Sequence, residues 1–171
     1  MAEYFKIGKL AASIGLKGEF ILQHSLGKKT DFAELKALFL EDKKDSFLPY
    51  FIEQAVAKSE DETVIKLEGV DVMEIARKMT PKEVWLLEAD FKKFADASAP
   101  ISMLGFSLID GSKDLGKIIE VIEQPHQILC TIMYKGKEAL IPVHEQNLLK
   151  LDTKKRKVHV DIPVGLLDIY G

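Results

Sequence analysis

Residues 14–20 read Ile14-Gly15-Leu16-Lys17-Gly18-Glu19-Phe20, and this short stretch sets the frame for the chain. An alternating apolar run enters it (Phe5, Ile7 and Leu10, interleaved with Lys6 and Lys9) and another apolar run leaves it (Phe20, Ile21, Leu22). Two glycines three apart between such runs predict a hairpin turn, because glycine reaches φ > 0 without steric cost. The turn itself does not require Lys17. A Gly-x-x-Gly loop can also bring backbone N–H groups to a phosphate, as in the KH fold, but there it joins helices. Here strands flank it, so the KH reading is rejected. What remains is a β-hairpin with a cation at its tip.

The same alternation recurs along the first half. It predicts strands at 4–10, 19–23, 37–40, 48–57, 63–67 and 83–87. One helix interrupts them at 70–79 (VDVMEIARKM), with Asp71 in the N-cap place, Glu74 three residues on, Ile75 and Met79 sharing an apolar face, and Pro81 as the stop. The stretch 91–102 (FKKFADASAPIS) reads as a linker: small, polar, broken by Pro100 and without strand period. β patterning then resumes at 106–109, 117–122, 128–134, 138–143, 148–151 and 157–162. Turns are expected at 110–116, 124–126, 134–138 and 153–157, the last a hairpin tip reading TKKRK. Short strands at this spacing suggest a small barrel or sandwich. The expected organisation is mainly β, with a first domain over 1–92, a linker over 93–101 and a second domain over 102–171.

Composition narrows the function classes. The chain has 171 residues, a formal net charge of −3 and one cysteine, Cys130. A single cysteine excludes an internal disulfide and a multi-cysteine metal site, and it favours a reducing, cytoplasmic setting. No apolar run approaches the ~20 residues of a membrane span, and the N-terminal MAEYFKIGK lacks the pattern of a secretory signal. His24, His126, His144 and His159 fall in no metal-binding spacing. Cys130 lies in ILCTIMY, where a thiol behaves as a small hydrophobe, and a pair with His126 or His144 needs the fold to assemble it. P-loop, Gly-x-Ser-x-Gly and helix-opening Gly-x-Gly-x-x-Gly motifs are all absent. These readings predict a binding protein without catalytic, metal or cofactor sites. Its apolar C-terminal DIPVGLLDIYG is expected to close a core through Leu166 and Leu167.

Several separated segments together resemble one family. IGKLAASIGLKGEF is similar to the opening of the RimM family of bacterial 30S ribosome maturation factors. VDVMEIARKM resembles its mid-domain helix, with the usual Ala-Glu pair changed. ISMLGFSLID with DLGKIIEVIE resembles the start of its PRC-barrel domain, and EALIPVHEQNLLKLD with KVHVDIPVGLLD resembles the end. The resemblance covers essentially the whole chain. It implies a six-stranded translation-factor-like barrel followed by a PRC barrel. It further implies a non-enzymatic factor that binds small-subunit ribosomal protein nineteen and 16S rRNA while the 30S head matures.

Lys9, Gly15, Lys17 and Gly18, with Lys154, Lys155 and Arg156, are the candidate RNA contacts. Met103, Leu104, Phe106, Pro142 and Val143 are the candidate contacts to a partner protein. Relatives often carry an aromatic pair just before the second domain. Here that stretch reads DASAPISMLG, so the pair's role does not transfer, and Phe94 or Phe106 is the candidate substitute. The alternative is a PRC-barrel adaptor of a non-ribosomal complex; no membrane or small-molecule substrate is expected.

Overall fold

The computed structural model describes residues 3–170. The chain divides between Ala99 and Pro100 into two compact units.

The first unit is a closed six-stranded barrel. Its strands are β1 (Tyr4–Ile14), β2 (Glu19–His24), β3 (Ala37–Lys43), β4 (Ser46–Ala57), β5 (Glu62–Leu67) and β6 (Glu83–Leu87). The order around the barrel is β1-β2-β5-β4-β3-β6, with β6 returning to β1. Alternation explains the closure. Leu22 and Phe20 on β2, Ile65 and Leu67 on β5, Leu38 and Leu40 on β3, and Val84 and Leu86 on β6 all point inward and are buried. Each such side chain contributes about 1.5–3 kcal/mol of transfer free energy. All six expected strands of this half form, and β1 runs four residues further than its alternation suggested.

The helices differ from expectation. Helix α1 spans Met73–Met79 and is capped by the extended Val72, with no side-chain cap. Asp71 does not cap it, because its Oδ1 accepts a 2.9 Å hydrogen bond from Lys66 Nζ. Its buried residues are Ala76 and Met79, whereas Ile75 is 45% exposed. Arg77 and Lys78 occupy the last turn, where cations suit the helix dipole. A second helix, α2 (Glu88–Phe94), forms where a linker was expected, because Phe91 is buried against Phe5 with ring centroids 5.1 Å apart. Residues after it are also held: Asp96 N–H donates to Leu26 O at 2.8 Å and Ala99 is buried.

The second unit opens with a 3-10 turn (Pro100–Met103) and contains two sheets. Strands β7 (Ser107–Asp110), β8 (Lys113–Lys117), β12 (Leu148–Asp152) and β13 (Lys157–Val160) form one, in the order β12-β13-β7-β8. Strands β9 (Glu120–Glu123), β10 (Ile128–Tyr134) and β11 (Lys137–Val143) form the other, with β10 central. Residues 110–116, expected as a turn, hold the tight β7–β8 hairpin, and the expected strand 117–122 is split between β8 and β9. The β7–β13 pair is parallel and joins the two ends of the unit. Leu166 and Leu167 are only half-buried; Ile162 is the buried residue at this end of the core.

His24 is buried at 2% exposure. Its Nδ1 accepts from Leu26 N–H at 3.2 Å, and its ring meets Phe32 edge-on. Desolvation lowers its pKa below the usual 6.5, partly offset by the nearby Asp61 carboxylate. The unfolded chain therefore binds the proton first as pH falls. Stability is unaffected by this group well above pH 6.5, falls as pH drops below that value, and levels off below the folded pKa. Denaturant melts at about pH 7.5 and about pH 5.5 should show this loss, and His24→Asn should flatten it.

The two loop glycines make separable demands. Gly15 has φ +65° with open space around a built Cβ, whereas a Cβ on Gly18 (φ +85°) would stand 2.3 Å from the Val70 carbonyl oxygen. Asparagine tolerates the left-handed region, so Gly15→Asn should be nearly neutral. Gly18→Asn should cost about 1–3 kcal/mol, read as a lower thermal midpoint.

Candidate functional site

The Gly-x-x-Gly stretch is the tip of the β1–β2 hairpin. Gly18 packs against the backbone of Val70 and Asp71, which anchors the tip beside the segment that starts α1. Leu16, 76% exposed, and the exposed Lys17 project from the anchored tip. Lys9 is exposed on β1, in register with Gln23 and Glu83. At about 3.3 Å per residue it stands some 16 Å from the strand's end, so Lys9 and Lys17 do not form one pocket.

Helix α1 packs on β1 and β2. Its outward side carries exposed Arg77 and Lys78, and exposed Lys82 follows, with its carbonyl accepting from Leu10 N–H on β1 at 2.9 Å. Cations at Lys9, Lys17, Arg77, Lys78 and Lys82 therefore belong to one structural neighbourhood: β1, its tip and the helix laid over it. Reading the sequence locally missed the last three, because they appear there only as helix residues. The C-terminal Lys/Arg pair of an amphipathic helix was the available signal.

The second basic cluster is also a hairpin tip, between β12 and β13. Asp152 organises it: its carboxylate accepts from Lys155 N–H at 3.0 Å and lies 3.9 Å from Lys150 Nζ. The Lys155 N–H bond is the main influence that holds the Asp152 carboxyl below its usual range. Lys154 and Lys155 are exposed. Arg156 adopts φ +56° and is less free, since its guanidinium lies 5.5 Å over the ring of Phe106.

The protein-contact candidates divide sharply. Met103, Leu104 and Val143 are buried at 5%, 1% and 2% exposure, so their side chains build the second unit's core. Only Phe106 and Pro142 are partly exposed. Pro142 belongs to a small polar corner, where its carbonyl accepts from Asn147 Nδ2 at 2.8 Å while Asn147 Oδ1 accepts from His144 N–H at 2.8 Å. Phe94 is occupied within the first unit, 5.5 Å from Phe32.

Three exposed leucines of the second unit lie together on β12, while Met133, Val164 and Ile169 are exposed elsewhere in it. Leu148, Leu149 and Leu151 are 37%, 66% and 42% exposed. The strand is the edge of its sheet, and leucines on both of its faces meet solvent. The run Leu148-Leu149-Lys150-Leu151 lacks alternation, and that break in period was the readable sign of an uncovered strand.

Cys130 sits in the centre of the second unit with its thiol fully buried, and desolvation pushes its pKa up to about 12. A nucleophilic cysteine needs the opposite shift. Among the described residues no group of three or more His, Cys, Asp or Glu is placed to hold a metal ion, and no helix is long and apolar enough to cross a membrane.

Comparison with known proteins places this arrangement. Residues 5–91 match the RimM N-terminal domain, and residues 100–166 match the RimM PRC barrel domain. The ribosome maturation factor RimM of Phocaeicola vulgatus is 33% identical over 171 aligned residues, covering 96% of this chain and 97% of that protein. The protein of the same name from Parabacteroides distasonis is 32% identical, covering 98% and 97%. That of Christiangramia forsetii is 28% identical, at 98% and 97%. With both domains matched in order and relatives aligned almost end to end, the chain belongs to the RimM family of ribosome maturation factors.

Proposed function

We propose that the chain acts in the cytoplasm as a two-handed binder of the assembling small ribosomal subunit, holding 16S rRNA and small-subunit ribosomal protein nineteen without bond chemistry. The separation of two unlike surfaces on two compact units supports this reading. The first unit offers cations on a hairpin tip and its adjoining helix, a pattern suited to phosphate. The second offers a leucine-bearing edge strand with a lysine tip, suited to a protein surface that borders RNA.

Holding both partners raises the effective concentration of each for the other. A factor that binds the native arrangement of the 30S head better than its alternatives shifts the population toward it, and assembly and 16S rRNA processing then proceed from that state. The buried, protonated Cys130 agrees with a non-enzymatic role.

Two measurements test the two hands. Binding to a 16S rRNA head fragment should weaken with salt, and Lys17→Ala should flatten the log–log slope by about one unit if Lys17 neutralises one phosphate. The double change Arg77→Ala, Lys78→Ala should flatten it further. Leu149→Glu, at an exposed position, should weaken ribosomal protein binding about ten-fold or more while leaving the RNA slope unchanged. Unchanged slopes would remove the RNA assignment. A pull-down that enriches only non-ribosomal partners would favour the adaptor reading.

A further inference from the structure

One side chain holds the turn between β5 and α1. Lys66 stands next to the end of β5, with its side chain 14% exposed. Its ammonium has three N–H donors, and each meets an oxygen: Leu67 O at 2.8 Å, Asp71 Oδ1 at 2.9 Å and Glu53 Oε2 at 3.4 Å. These acceptors come from the last residue of β5, the segment that starts α1, and β4. Leu67 O also accepts from Val70 N–H at 3.3 Å, and Gly69 turns the chain at φ +83°. Glu68 N–H donates to Phe51 O at 2.9 Å, and Val70 is buried. The ammonium therefore ties the first residue of the turn to its last.

Both carriers of the cationic neighbourhood rest on this turn. Gly18 packs against Val70 O and Asp71 N with no room for a side chain between them, so the Lys17 tip is seated on the last two residues of the turn. Helix α1 departs from the residues that follow, and it carries Arg77 and Lys78. A shift of Val70 and Asp71 would move the tip and the helix start together. Asp71 itself runs against the local charge. A carboxylate in a neighbourhood of cations opposes an approaching phosphate, and this one is 73% exposed. Nor does it cap α1, which has no side-chain cap. Its hydrogen bond goes to Lys66 instead.

We infer that Lys66 and Asp71 are positioning residues for RNA binding by the first unit: their ion pair fixes the turn that seats the Lys17 tip and launches the helix bearing Arg77 and Lys78. Neither acts by contacting RNA. The inference deepens the proposed RNA reading and rests on it.

Asp71→Ala separates positioning from charge. Removing a carboxylate from a cationic neighbourhood should, by charge alone, tighten RNA binding, whereas losing the clasp should weaken it. The full-length protein and its Asp71→Ala, Lys66→Met and Lys17→Ala variants are titrated with a 16S rRNA head fragment at about 0.15 M salt. Amide hydrogen exchange is followed in the same proteins without RNA. Asp71→Ala should weaken RNA binding by about two- to five-fold. Added to Lys17→Ala it should cost less than it does alone, since the side chain it positions is already gone. Val70 N–H, whose bond closes the turn, should exchange faster in both Asp71→Ala and Lys66→Met. Phe20 and Ile65, paired inside the barrel sheet, should keep their protection, which a general loss of stability would not allow. Tighter or unchanged RNA binding by Asp71→Ala, unchanged Val70 exchange, or exchange that rises equally at Phe20 and Ile65 overturns the inference. Failure of the RNA reading shows elsewhere, as Lys17→Ala binding the fragment like the parent protein; the exchange result then still decides whether the clasp holds the turn.

Discussion

Strand β1 bonds to β2 along one edge and to β6 along the other, and this double pairing leaves the first unit without an open edge. Two irregularities in β1 make it possible, one between Lys6 and Gly8 and one between Leu10 and Ala12. Each bends the strand and increases its twist, as closing a six-stranded sheet requires. Gly8 sits within this bend, so close to Gln23 that a Cβ would collide with its carbonyl. The anchored hairpin tip and the helix laid over β1 take their positions from that one strand.

The closed barrel explains how a mildly acidic chain can present a locally cationic face. Net charge describes the whole molecule, but binding responds to the local field, which falls off over about 8–10 Å at physiological salt. Cations on β1, its tip and α1 are presented by elements that the barrel holds together. The second unit works differently. Its edge strand β12 is apolar on both faces and ends in a lysine tip, and Lys150 within it is a charge of the kind that discourages edge-to-edge aggregation.

Most strands were readable because alternation with period two survives wherever one face is buried; β2, β3 and β5 show it without interruption. Reading failed where tertiary contacts override local pattern. Asp71 looks like a cap, but Lys66 engages it instead. Helix α2 looks like a polar linker because one residue, Phe91, supplies its buried anchor. Met103, Leu104 and Val143 lie in segments picked out by their motifs, yet apolar residues in a motif are as readily core as contact, and burial separates the two. The cationic neighbourhood of β1 and α1 was only half legible, since the Lys17 tip and the segment that starts α1 are far apart in the chain and are brought together by Gly18 packing on Val70.

The parallel pairing of β7 with β13 carries a temporal consequence. β13 follows β7 by some fifty positions and is a direct neighbour of it in the sheet. A chain emerging from its own ribosome exposes β7 long before its partner exists, whereas every strand of the leading barrel is already out by then. The barrel can therefore condense first. The trailing unit can form its β7–β8 hairpin early, but the other edge of β7 stays unpaired until the late strand arrives, making it the slower half during synthesis.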